Sequence, residues 1–169
     1  TIRALKMHGG VALADLAGEN VEALERGFEN LKRHVENIRK FGIPPVVSIN
    51  RFASDTAAEI AALEKACGKL GVDVALTDIH ARGGAGGEDL AARVLAALDA
   101  GKGDFKPLYP VNQPLTAKIE TIAKEIYRAD GVAYTSTAQR DIKRLEEIGM
   151  RDVPICMAKT QYSFSDDPA

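Results

Sequence analysis

Apolar residues recur at steps of three and four from Val21 through Leu24, Phe28, Leu31 and Val35 to Ile38, which predicts a helix over 20–41 with one face buried. The opposite face is charged. Glu22 with Arg26, Glu29 with Arg33 and Glu36 with Lys40 form i, i+4 pairs in the favourable order, each worth roughly 0.2–0.5 kcal/mol. Gly42 supplies the C-cap. At 43–49 the period changes. A continuous apolar run broken only by Pro44, Pro45 and Ser48 reads as a strand covered on both faces, with the prolines at its entrance. Thr56 followed by Glu59 predicts a capping box, and Ile60, Leu63, Cys67 and Leu70 give the next helix its apolar stripe, closed by Gly71. Residues 72–79 read as a second strand, and 88–100, with Leu90, Val94, Leu95 and Leu98, as a further helix.

Strand, helix, strand, helix in blocks of this length predicts an α/β fold: a parallel sheet built from βαβ units with flanking helices. Residues 100–110, AGKGDFKPLYP, collect glycine and proline and mark a connection. The expected division is an α/β part over 1–100 and a smaller segment over 101–169. The second contains helices at 115–129 (Ile119, Ile122, Ile126) and 137–148 (Ile142, Leu145, Ile148), then a strand at 153–158.

Composition narrows the class without changing this outline. The chain has 169 residues, 46% of them apolar and 27% charged, and a net charge of -2. That balance gives no electrostatic case for nucleic acid or an anionic membrane as partner. No apolar stretch is long enough to span a bilayer and residues 1–20 lack a signal-peptide pattern, so a cytoplasmic protein is expected. The start at TIRALKMHGGV and the end at SFSDDPA read either as one piece of a longer protein or as an ordinary small protein. Cys67 and Cys156 are expected to be buried small hydrophobes, not a disulfide or a metal pair, and His8, His34 and His80 lack zinc-site spacing.

Ligands in open parallel sheets bind beyond the carboxyl ends of the strands, and two clusters fall there. The first is Asn50, Arg51, Phe52, Ser54 and Asp55; the second is His80, Arg82 and the run Gly83, Gly84, Gly86, Gly87. The glycines would let backbone N–H groups approach an anion, or would simply let the chain turn. No G-x-x-x-x-G-K-[ST] sequence occurs, so a triphosphate is not held here in the P-loop manner. Asn50 is suited either to a purine edge, since an amide donates and accepts at once, or to capping a turn. Phe52 and His80 lie past successive strands, and their rings would form a slot for a flat heterocycle. The plainer reading of Phe52 is a core plug.

The segments INRFASDT, ALTDIHARGGAGG and DGVAYTSTAQRDIKRLEEIGMRDVPICMAKTQYSFSDDP closely resemble the middle and later part of formate–tetrahydrofolate ligases, as do TIRALKMHGGV and NLKRHVENIRKFGIPPVVSIN. The resemblance runs over nearly the whole chain. It implies ATP-dependent formylation of tetrahydrofolate N10 through formyl phosphate, with ATP and magnesium used by the complete enzyme. It implies that Phe52 stacks on the folate ring, that Leu76 lines the pterin pocket, and that His80 stands where the family usually carries a tryptophan. The family's P-loop region is not in these residues, so the resemblance implies a folate-side part whose partners are tetrahydrofolate and that region. An alternative is a non-catalytic, stand-alone binding or interaction module derived from the ligase. A sheet lacking neighbouring strands would present an open edge, from which a homo-oligomer is expected.

Overall fold

Thr1 caps the first helix, α1 (Ile2–His8), by accepting the Ala4 N–H at 3.3 Å on its side chain. In a computed structural model that describes residues 1–157, the chain divides into two compact units, one from Thr1 to Phe105 and one from Lys106 onward. Within the first, α1 crosses α2 (Val21–Lys40) at very short range. A Cβ on Gly27 would fall 1.8 Å from the Leu5 carbonyl oxygen, and one on Gly9 1.8 Å from that of Ala23. Only glycine permits backbones to approach so closely.

Helix α2 lies within the predicted span, and Asn20 caps it by accepting the Ala23 N–H at 2.9 Å. Leu24 and Val35 are buried and Phe28 and Leu31 pack against the core from its edge, whereas Ile38 is exposed. On the charged face Arg26 meets Glu22 at 2.8 Å, Lys32 meets Glu29 at 3.0 Å, and Arg33 meets Glu36 at 3.7 Å.

Strand β1 (Val46–Asn50), helix α3 (Ala57–Leu70) and strand β2 (Asp73–Thr77) form a βαβ unit, and the two strands run parallel with Val46 opposite Asp73 and Asn50 opposite Thr77. The α/β class is thus correct, with a sheet of two strands among the described residues. Both expected capping features of α3 are present. Thr56 accepts the Glu59 N–H while Glu59 accepts the Thr56 N–H, and Gly71 closes the helix at φ 63°. Val47 and Ile49 point into a core shared with Ile2, Leu24, Leu63 and Cys67. Each such side chain contributes roughly 1.5–3 kcal/mol. Burial there pushes the Cys67 thiol up to about 11, with the Glu64 charge adding to the effect, as befits an inert core residue.

The run 43–49 was expected to be covered on both faces, yet Ser48 is exposed, as is Asn50 just past the run, because alternate residues of β1 look toward a less complete layer. That layer is α5 (Glu88–Asp99), which buries none of its own residues. A short helix, α4 (Ile79–Arg82), and a 3-10 turn at Gly83–Gly87 connect β2 to it.

In the second unit, α6 (Leu115–Glu125) and α7 (Ser136–Glu147) lie close to their predicted ranges. Glu146 Oε1 accepts the Leu115 N–H at 2.8 Å, satisfying the start of α6. The strand expected at 153–158 is not formed over 153–157, and Ala158 lies outside the described residues. The reason is where its backbone bonds go. The fully buried Lys118 ammonium donates to the carbonyls of Arg151 and Val153, and the Ile155 N–H donates to the Tyr109 hydroxyl at 2.8 Å. Those groups are satisfied by side chains, not by a ladder. Cys156 there is exposed, contrary to its expected burial.

Candidate functional site

The Arg51 N–H continues the sheet's pairing by donating to the Thr77 carbonyl at 3.0 Å, and immediately afterwards the chain turns. Asp55 fixes that turn. Its Oδ2 accepts the Phe52 N–H at 2.8 Å while its own N–H donates to the Phe52 carbonyl at 3.0 Å, a reciprocal pair that sets where the ring leaves the backbone. Asp55 is buried and its Oδ1 has no hydrogen-bond partner among the described residues. Phe52 remains 38% exposed, so it lies at the surface and is not the core plug that a strand-end aromatic usually is. The Arg3 guanidinium of α1 lies over this ring, 5.4 Å from its centroid.

The same helix α1 that carries Arg3 also supplies an ion pair with no solvent contact. Lys6 Nζ meets Glu59 Oε1 at 2.8 Å and also donates to the Gly18 carbonyl at 2.9 Å; both side chains are 0% exposed. Glu59 accepts further bonds from the Asn20 N–H at 2.9 Å and the Thr56 N–H at 3.1 Å. Burial alone would raise the Glu59 carboxyl. The Lys6 hydrogen bond, the two backbone donors and the Lys6 charge outweigh it and hold the group below the ordinary carboxylate value.

The predicted residues take different places around the sheet. Leu76 is half-buried and packs against the core on the same face of the sheet as Ile49, its partner in register. Asn50 belongs to the other face, with Thr77 opposite it. Asn50 and Leu76 therefore do not serve one pocket wall. His80 stands exposed on α4, past the end of β2 as Phe52 stands past the end of β1.

The glycine run forms a 3-10 turn, and two of its glycines have local reasons to be there. Gly83 takes φ 59° with ψ -145°, a conformation open only to glycine. The Gly86 carbonyl accepts the Asp78 N–H at 3.0 Å, and a Cβ on Gly86 would lie 2.2 Å from the Asp78 oxygen. Glu88 and Asp89 already occupy the first turn of α5, where they offset its positive end.

Sequence reasoning missed α1 and with it Arg3 and Lys6. The signal was present: a threonine cap, apolar Ile2 and Leu5 at a spacing of three, and Lys6 beside them. Seven residues are too few for periodicity to stand out. Among the described residues no group of three or more histidine, cysteine or acidic side chains could hold a metal ion, and no helix is long and apolar enough to cross a membrane.

Residues 1–169 match the family model described as formate–tetrahydrofolate ligase. The chain is 58% identical over 169 residues to the formate–tetrahydrofolate ligase of Zymomonas mobilis subsp. mobilis, covering 99% of this chain and 30% of that protein. It is 54% identical over 169 residues to that of Hyphomonas neptunium, covering 100% of this chain and 30% of the relative. The chain thus spans about 30% of the length of these curated relatives.

Proposed function

The chain belongs to the formate–tetrahydrofolate ligase family, and from that premise we propose that it forms the folate-side wall of such a ligase. In this reading Phe52 receives the flat ring of tetrahydrofolate on its open face and His80 closes the slot from the end of the neighbouring strand. Leu76, on the core face of the sheet, would keep its side of the pocket apolar. Asn50, on the other face of the sheet, serves a separate compartment, where its amide meets the purine of ATP. The glycine run is given a structural part, turning the chain from α4 into α5, because the acidic residues in the first turn of α5 disfavour an anion there.

The reaction would be ATP-dependent formylation of N10. The amine adds to the carbonyl carbon of formyl phosphate, the C–O bond to phosphate breaks, and N10 loses its proton. The phosphates of ATP, magnesium and formate would be handled by the P-loop region that these residues do not include. What the present residues contribute is orientation and exclusion of water from one face of the ring. The observation that supports this most is Phe52 itself: a half-open aromatic at the carboxyl end of a parallel strand, locked at its backbone by Asp55.

Calorimetric or fluorescence titration of tetrahydrofolate tests the proposal. Phe52→Ala should weaken binding by about five-fold or more, and His80→Trp should tighten it several-fold, since an indole offers a larger flat face than an imidazole. Unchanged affinity in both variants would defeat the reading.

A further inference from the structure

Two cations three residues apart on α1 reach the loop that carries the ring and the first turn of the helix that follows it. Arg3 covers Phe52 with its guanidinium carbon 5.4 Å from the ring centroid, and Lys6 pairs with Glu59 at 2.8 Å. Positions i and i+3 share a helix face, so one short helix reaches both sites. Between them the loop is tied at Phe52 to Asp55 and at Thr56 to Glu59. Arg3 is half-buried, and its helix neighbours Ile2 and Lys6 are fully buried, which anchors it as part of the packed structure.

From this circuit we infer that Arg3 is a positioning residue for the folate platform: its guanidinium occupies one face of Phe52 and leaves the opposite face to the ligand. The inference rests on the reading of Phe52 as a ring platform. In this arrangement the guanidinium lies against one face of the Phe52 ring and the flat ligand against the other. A planar cation against the ring restrains its rotation, so less ordering remains to be done when the ligand arrives. If Arg3 instead had to leave before the ligand could bind, its removal would strengthen binding. The two arrangements differ in sign.

The test compares Arg3→Met, Arg3→Lys and Phe52→Ala in the 169-residue chain, measuring tetrahydrofolate affinity and melting temperature. Arg3→Met is expected to weaken affinity roughly three-fold with little change in melting temperature, the scale of an exposed cation–π contact. Arg3→Lys should restore part of the loss, since an ammonium keeps the charge near the ring but lacks the guanidinium's planar face. The Arg3 side-chain N–H resonance, upfield from the ring current in the unliganded chain, should move on Phe52→Leu. Tighter or unchanged binding by Arg3→Met, with Phe52→Ala still weakening it, would overturn the role of Arg3 alone. No binding by the unaltered chain, or no effect of Phe52→Ala, would remove the platform reading and this inference with it.

Discussion

Helices α3 and α5 are similar in length, 14 and 12 residues, and each carries an apolar stripe, but the chain finishes only one of them. The first has a capping box at its start, a left-handed glycine at its end, and Glu59, Leu63 and Cys67 buried. The second has no side-chain cap at its start and no buried residue, and Leu95 and Leu98 are 59% and 69% exposed. Where α5 meets the entrance of β1, a hollow of about 440 Å³ is lined by Ile43, Pro44, Val46, Val94 and Leu98. An apolar stripe therefore reports that a helix has a face to cover, not that these residues cover it. The α3 side of the sheet is covered by these residues; the α5 side is not.

The strongest test of that contrast is the buried pair under α3. Glu59→Gln keeps the shape of the side chain but leaves the Lys6 ammonium without a counter-charge, and breaking a buried pair in this way costs about 3–5 kcal/mol. Chemical denaturation should show it as a lower midpoint. Because folding lowers the Glu59 carboxyl below its ordinary value of 4.5, its contribution is fully present above that value. It is lost as the pH falls through the folded-state value. The unaltered chain should thus lose stability on acidification, and Glu59→Gln should flatten that part of the profile. An unchanged midpoint would mean that α1 does not depend on this pair.

Next in size is Leu63→Ala, which empties part of the core beside Cys67 and should cost roughly 2–5 kcal/mol, depending on how far the site collapses. A smaller loss follows for Thr56→Ala. Removing the cap of α3 should cost about 1 kcal/mol, and the change should also loosen Phe52, because Thr56 adjoins the Asp55 turn. A melt together with the tetrahydrofolate titration separates the two effects.

The difference between the helices also explains what the sequence disclosed. Thr56, Glu59 and Gly71 act within a few residues of one another, so their capping roles could be read directly. The order β1, α3, β2 followed from the change of hydrophobic period for the same local reason. The grip of Arg3 and Lys6 on a loop about fifty residues away could not, since no local pattern encodes a partner at that separation. The expected strand at 153–158 failed similarly: Val153 and Ile155 have strand-like composition, but Lys118 and Tyr109 take up the backbone groups that a ladder needs. Phe52, His80, Asn50 and the glycine run were visible as types in a suggestive place. That Asn50 and Leu76 lie on opposite faces required the register.

The smallest effect should come from α5. Leu98→Gln replaces a side chain that is already 69% exposed, so little apolar area returns to water when the chain unfolds and little is lost by the substitution. Its effect on the denaturation midpoint should lie within about 0.5 kcal/mol of zero, as for surface changes that touch no special feature. That expectation is opposite in kind to Leu63→Ala, although both replace a leucine on the apolar stripe of a helix flanking the same sheet. A loss approaching that of Leu63→Ala would show that the α5 face is covered in solution, by a second copy of the chain. The same loss would then diminish on dilution, because a contact between copies follows mass action and a contact within one chain does not.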